Sequence, residues 1–352
     1  MGNFERELEN SRRERIRRNS DQLIDIRERL TPSIDDFSHI PEEEKRRDKS
    51  YVNDRKARFR ANNEREGSFN EIVERGVEAA LMIQIATGAI LNDPANDTYT
   101  SEPIFTTDYD DISNRNDAGV TIFAGPDSNS DHEAADLTFG IDFTTSSNPD
   151  TISDKLLIST NNSSLNLPVG FTQIKYYRNS TKKEQGVVTA PRYCLGVDHE
   201  AACDILDETT FANGRVSFGN LSTFRFKILY EMYLQNGLYE APLIAEDNDD
   251  NLPDKEQPLL RQMELLDNIY MKELDRIAKT LPKYLTDGTE SHGKFDVEKI
   301  AQRLQTGDNA DQTFRLICEQ AKTITDKIYD TDNPRQKLNE LSQAARDNKH
   351  SS

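Results

Sequence analysis

The sequence predicts an α+β protein: a small α/β core of a helix, a mixed sheet of about four strands and a second helix, set between an N-terminal charged helical arm and a C-terminal helical region. Three observations carry this reading. Ser68 opens a segment that becomes progressively apolar toward Ile90, the mark of a buried helix. Residues 137–145 alternate strictly, with Leu137, Phe139, Ile141 and Phe143 on one face and Thr138, Gly140, Asp142 and Thr144 on the other, the period of a strand. After Gly219 apolar residues recur at helical spacing, as at Leu260, Met263, Leu266, Ile269 and Ile277.

Taken in chain order, residues 1–67 carry charge of both signs with sparse apolar positions at Leu8, Ile16, Leu23, Ile26 and Leu30. That pattern predicts an amphipathic, partly exposed or disordered arm, punctuated by Pro32 and Pro41, that meets a partner rather than forming core. Arg12, Arg13, Arg15, Arg17 and Arg18 are interleaved with acids and read as a solvated face. The core spans residues 68–212. Ser68 with Glu71 three residues on is a capping box, and Glu71, Glu74 and Glu78 fall on one face of the helix they open. Strands are expected over 119–124, 137–145, 171–178 and 192–197, and a short helix over 199–206. The remainder, 213–352, is helical over 221–235, 259–281, 297–304, 312–329 and 335–346. The acidic stretch 247–254 reads as a linker: Asp247, Asp249 and Asn251 have calcium-loop offsets, but Leu252 stands where glycine is required and Pro258 where glutamate is.

The 352 residues include 44 Lys and Arg against 63 Asp and Glu, a formal net charge of -19, which argues against a general nucleic-acid coat or an anionic-membrane binder. Hydrophobic residues make up 35%, there is no Trp, and the mean hydropathy is -0.79, so solvated helices must accompany the core. No apolar run approaches the roughly 18 residues of a membrane span. Three cysteines without paired spacing, and an N-terminus without an apolar leader, predict a soluble cytoplasmic chain with reduced thiols. Phosphate-loop, dinucleotide, nucleophile-elbow and zinc patterns do not occur. His132-Glu133 starts a zinc-protease-like motif that fails at Asp136.

What chemistry remains lies in the acidic strand region. Asp142 on the polar face of an apolar strand costs free energy unless paired, hydrogen-bonded or bound to a cation. Gln173 and Lys175 share one face of the third strand, with Ile174 and Tyr176 on the other. If the two strands were adjacent, Asp142, Gln173 and Lys175 would form a minimal kit for metal-assisted phosphodiester hydrolysis: oxygen ligands for a hard cation and a lysine to offset charge. A second reading makes Asp142 a strand-end carboxylate satisfied by Thr144 and Thr145. Positive charge gathers at Lys175, Arg178, Lys182, Lys183 and Arg192, which predicts either a phosphate-facing rim or a lysine-protected edge strand.

Gly140-Ile141-Asp142-Phe143 followed by Gln173-Ile174-Lys175 resembles the D…(D/E/Q)xK core of the restriction-endonuclease-like, or PD-(D/E)XK, superfamily, in the QxK variant typical of Mrr-like nucleases. The resemblance covers about residues 69–206. It implies a restriction-endonuclease-like core and a Mg²⁺- or Mn²⁺-dependent nuclease acting on DNA more than RNA. It makes Asp142 the metal-binding aspartate, Gln173 the variable ligand, Lys175 the catalytic lysine, and Glu74 or Glu78 the helix glutamate. Asp111 and Asp117 are further acids within reach of the same metal. Tyr109-Asp110-Asp111 with Asp117 is also similar to a YDD…D…DxT…KYF pattern of uncharacterised small bacterial proteins. Residues 180–191 are too short for the helix that usually precedes the last strand. The alternative function is a non-catalytic interaction or assembly protein, on an inactive nuclease-like fold, that binds a protein partner or a second copy through its helical arms.

Overall fold

The computed structural model describes residues 3–62, 68–86, 99–104, 106–114, 117–124, 135–157, 167–179, 184–212, 215–218, 222–248, 252–254, 256–306 and 310–351. His132, Lys182 and Lys183 lie outside them. The chain begins with α1 (Asn3–Leu30), a 3-10 turn over Ile34–Asp36, α2 (Glu42–Asn62) and α3 (Phe69–Ala86). The sheet unit comes next as β1 (Tyr99–Ile104), α4 (Asp108–Asn114), β2 (Ala118–Ala124), β3 (Ala135–Thr144), α5 (Pro149–Leu157), β4 (Phe171–Asn179), β5 (Glu184–Gly196) and α6 (His199–Glu208). A hairpin of β6 (Thr210–Ala212) and β7 (Arg215–Ser217) leads to the helices α7 (Ser222–Asn248), α8 (Gln257–Ala278) and α9 (Lys283–Thr286). The chain closes with the hairpin β8 (Glu290–Ser291) and β9 (Lys294–Phe295), then α10 (Val297–Thr306), α11 (Gln312–Tyr329) and α12 (Pro334–Ser351).

The fold is mixed α and β, predominantly helical. A four-stranded mixed sheet, β1-β2-β3-β5, is antiparallel except for the parallel pair β3–β5, and β4 adds antiparallel to the far side of β5 as a fifth strand. The sheet curls. Ile174 and Tyr177 of edge strand β4 pack on Ile104 of the opposite edge strand, and the Tyr177 hydroxyl reaches Thr121. The other face, carrying Phe139 and Tyr193, packs edge-to-face on Tyr270 of α8. Beyond the end of β4, the Gln235 amide of α7 takes the place of a strand: it accepts from the Cys194 N–H and donates to the Cys194 carbonyl, each at 2.7 Å. Those two backbone groups would otherwise be buried without partners.

Residues 3–62 dock on the sheet unit. Ile16 and Leu23 of α1 are buried in the main core, and α1 lies on α3 at Gly76, where an added Cβ would come within 2.4 Å of the Ser20 hydroxyl oxygen. Asn19 donates to the carbonyls of Leu206 and Thr209, satisfying the C-terminal end of α6. Arg12 and Arg15 pair with Asp204 and Asp207 on the same helix. Two of the charges that predict an arm in solution thus meet the core, although exposed pairs of this kind contribute only about 0–1 kcal/mol each. Buried apolar side chains set the position of α1.

Candidate functional site

The sheet topology separates what strand parity alone places together. β5 lies between β3 and β4, so Asp142 and the pair Gln173 and Lys175 do not sit on neighbouring strands. A bulge between Ile174 and Tyr177 also breaks the alternation of β4: Ile174 and Tyr177 enter one apolar cluster and Tyr176 enters another, beside Phe37. Buried Asp110 supports the bulge, accepting from the Lys175 N–H at 2.8 Å and the Tyr176 N–H at 3.0 Å. The Lys175 ammonium then meets Asp48 at 2.6 Å and Glu44 at 2.7 Å, both on α2, and lies over the Tyr109 ring. Burial opposes charge on Lys175, but those two carboxylates hold its pKa above the ordinary value. Lys175 is a clamp between α2 and β4. Gln173 is half-buried opposite Thr189, and Glu74 is exposed. Arg178 is exposed, but Arg192 is buried and belongs to no rim.

A different constellation forms around Asp142. Pairing of Ala118 with Ile141 places Asp117, one residue earlier, level with Asp142 across the β2–β3 ladder. Asp117 donates its N–H to the Ile141 carbonyl at 2.8 Å and accepts the Phe143 N–H on Oδ2 at 2.5 Å. Lys155 of α5 reaches Asp142 Oδ1 at 2.5 Å and the Phe143 carbonyl at 2.8 Å. Arg192 of β5 donates to Asp142 Oδ2 at 2.9 Å and to the Lys155 carbonyl at 2.6 Å. Asp142 is therefore a buried carboxylate held by two cations, not by Thr144 and Thr145. Burial disfavours charge on Lys155, yet Asp142, Cys194 and Asp117 keep its pKa above the ordinary range.

The same end of the sheet opens into a cavity of about 1110 Å³ whose base includes Glu78, Asp111 and Asp117. Glu78 lies on the buried helix α3, where its pKa is pushed up to about 7 by burial and by Asp111 and Glu74, against the pull of Arg27. Asp117 is held well above the carboxylate range by burial and by Glu78, Asp111 and Asp142, and Asp111 is raised by burial while sharing a hydrogen bond with Asp117. Arg27 of α1 pairs with Glu78 at 2.5 Å and lies 3.7 Å from Asp111. The walls carry Arg55, Lys56 and Arg58 of α2 and Arg75 of α3. Among the described residues no group of three or more His, Cys, Asp or Glu side chains converges at metal-ligating distance.

The sequence thus directs attention to Asp142, Asp117, Asp111 and Glu78, which the structure brings to one end of the sheet, and to Gln173 and Lys175, which it does not. It does not reveal Lys155, although Asn148 ahead of Pro149 is a helix-start signal and the Asn148 side chain accepts the Asp150 N–H at 2.9 Å. Nor does it reveal that α1 and α2 wall the cavity. No protein-family model, no curated protein and no solved structure matches the chain.

Proposed function

We propose that the chain is a divalent-metal-dependent phosphodiesterase acting on nucleic acid, DNA more than RNA. Its site is built from Asp117, Asp142, Lys155 and Glu78 instead of Asp142, Gln173 and Lys175. The observation that carries this reading is the level pairing of Asp117 with Asp142 at the sheet end, with Lys155 on one side and a basic-walled cavity on the other. The resemblance to the restriction-endonuclease-like superfamily is thereby carried on Asp142 and the helix glutamate Glu78, with Lys155 in the part that the linear motif gives to Lys175.

The charge layout fits Mg²⁺ or Mn²⁺. Glu78, Asp111 and Asp117 are crowded and desolvated enough that each resists ionisation, with Arg27 and Lys155 as counter-charges acting on the set. A hard cation with oxygen ligands would relieve that repulsion by drawing Glu78, Asp111 and Asp117 together around it, beside Asp142, whose two oxygens Lys155 and Arg192 hold. Bound there, it would polarise a phosphoryl oxygen and lower the pKa of a water. The chain's own contribution is electrostatic. Lys155 offsets negative charge developing on the phosphate, while Arg192, by holding the other oxygen of Asp142, fixes where Lys155 can sit.

A second reading has one specific observation in its favour. Asp142 already has two cations and Glu78 has Arg27, a saturated set consistent with a non-catalytic fold that binds a partner. Cleavage of labelled single- and double-stranded DNA and RNA with Mg²⁺, Mn²⁺ or chelator decides between them. Metal-dependent cutting abolished by Lys155→Met and retained by Lys175→Met supports the phosphodiesterase. Absence of cutting by clean wild-type protein on every substrate favours the binding protein.

A further inference from the structure

We propose that the nucleic acid enters the cavity as a single unpaired strand, with Arg55 and Arg58 of α2 holding its phosphates. This rests on the phosphodiesterase reading and names the form of its substrate. The cavity at the carboxylate end of the sheet is lined by α1, the turn at Thr31 to Ser33 and α2 together with α3 and α4. A volume of about 1110 Å³ is just above the ~300–1,000 Å³ of ordinary ligand pockets. It accommodates a few nucleotides of one strand.

The basic side chains of the wall are not equivalent. Lys56 is held by Asp108 at 2.8 Å and Arg75 lies 3.6 Å from Glu28, so both are already engaged within the chain. Arg55 and Arg58, three residues apart on the same face of α2, are exposed and have no carboxylate at ion-pair distance among the described residues. Arg55 also lies 5.5 Å from the Tyr51 ring centroid, and Tyr51 in turn is 6.1 Å from Tyr109. A guanidinium backed by aromatic rings presents a flat cationic surface to an unstacked base as well as charge to a phosphate. Bases of a duplex are stacked and paired and offer no such face at the strand interior.

The test uses the full chain and 12-nucleotide fluorescently labelled strands of one sequence, as single-stranded DNA, single-stranded RNA and blunt duplex DNA. Binding is read by anisotropy with Ca²⁺, and cleavage of the same strands with Mn²⁺. The expected result is at least tenfold tighter binding of a single strand than of the duplex, with the DNA and RNA arms showing which sugar is preferred. The double variant Arg55→Glu/Arg58→Glu should weaken single-strand binding at least tenfold and lower the salt slope by about 1.4, roughly 0.7 for each phosphate no longer neutralised. Both residues are exposed, and an unchanged thermal melt shows that the variant remains folded. Duplex bound and cut as well as single strands overturns the inference and leaves the phosphodiesterase standing. Single-strand binding indifferent to the charge reversal overturns the assignment of Arg55 and Arg58. No binding and no cleavage of any strand sinks the phosphodiesterase reading, and this inference with it.

Discussion

The chain contains two lysine–aspartate arrangements built from similar parts, and they differ in what faces them. At the bulge of β4, Lys175 is gripped by Asp48 and Glu44 of α2, and the Tyr176 hydroxyl donates to the same Asp48 at 2.5 Å. Every group there satisfies another, and the result is a joint between a helix and an edge strand. At the end of β3, Lys155 is gripped by Asp142, but the next carboxylate along, Asp117, is one of a crowded set open to a cavity. The short motif points to the first lysine. The proposed chemistry uses the second, because Lys155 stands beside a crowded, desolvated set of carboxylates, while the carboxylates at Lys175 are paired to it.

Four experiments probe this contrast. The largest effect is expected in stability: Asp142→Asn leaves buried Arg192 and Lys155 without their carboxylate and should cost about 3–5 kcal/mol in urea unfolding. Asp48→Asn, whose lysine keeps Glu44, should cost about 1–2 kcal/mol. Equal costs would mean that the two arrangements are energetically alike. Next in size, Lys155→Met should reduce Mn²⁺-dependent cleavage at least ~100-fold, about 2.7 kcal/mol in the barrier, while Lys175→Met changes it less than about threefold. The reverse order would restore Lys175 as the catalytic lysine.

A smaller effect separates the two regions by pH. Glu78 titrates at about 7 in the folded chain against an ordinary value of 4.5, so folding favours its protonated form. Its contribution is complete below about pH 4.5 and is lost as pH rises toward 7, at up to about 1.4 kcal/mol per pH unit in metal-free buffer. Glu78→Gln should flatten that decline, and a pH profile unchanged by the substitution would remove Glu78 from the cluster. Lys175, raised above its ordinary value, stays charged throughout this range and adds no slope. The smallest effect concerns the wall. Gly76→Ala should drive Cβ into Ser20, lift α1 and cost about 1–2 kcal/mol, drawing Arg27 away from Glu78, which is measurable as weaker protection of α1 from hydrogen exchange.

Much of the fold is readable along the chain where the signal is local. The helix expected over 312–329 is α11 at both ends, because Asp311 caps it, accepting the Phe314 N–H at 3.0 Å, and its apolar face keeps strict spacing. The strands at 119–124, 137–145 and 171–178 stand within two residues of β2, β3 and β4. β1 and α5 are hidden in a stretch rich in Asn, Asp, Ser and Thr, where composition suggests loop and only the surrounding core supplies the burial that orders it. The candidate site divides the same way. Asp142 stands out as a carboxylate in an apolar strand, but its partners are 13 and 50 residues away and no period in the sequence links them.

Local pattern was enough for the class of the fold, the buried helix bearing Glu78, the alternation that sends Asp142 to the polar face, and the abrupt change to helices after the sheet. Each comes from the spacing of apolar side chains, which is a property of neighbouring residues. The insertion of β5 between β3 and β4, and the β4 bulge that turns Lys175 to α2, exist only once the whole chain has packed. So do the meeting of Lys155 with Asp142 and the folding back of the charged N-terminal helices as the wall of a cavity. Strand order, bulges and docking of charged helices are settled by which buried surfaces and ion pairs are satisfied together, a global condition that no local pattern encodes.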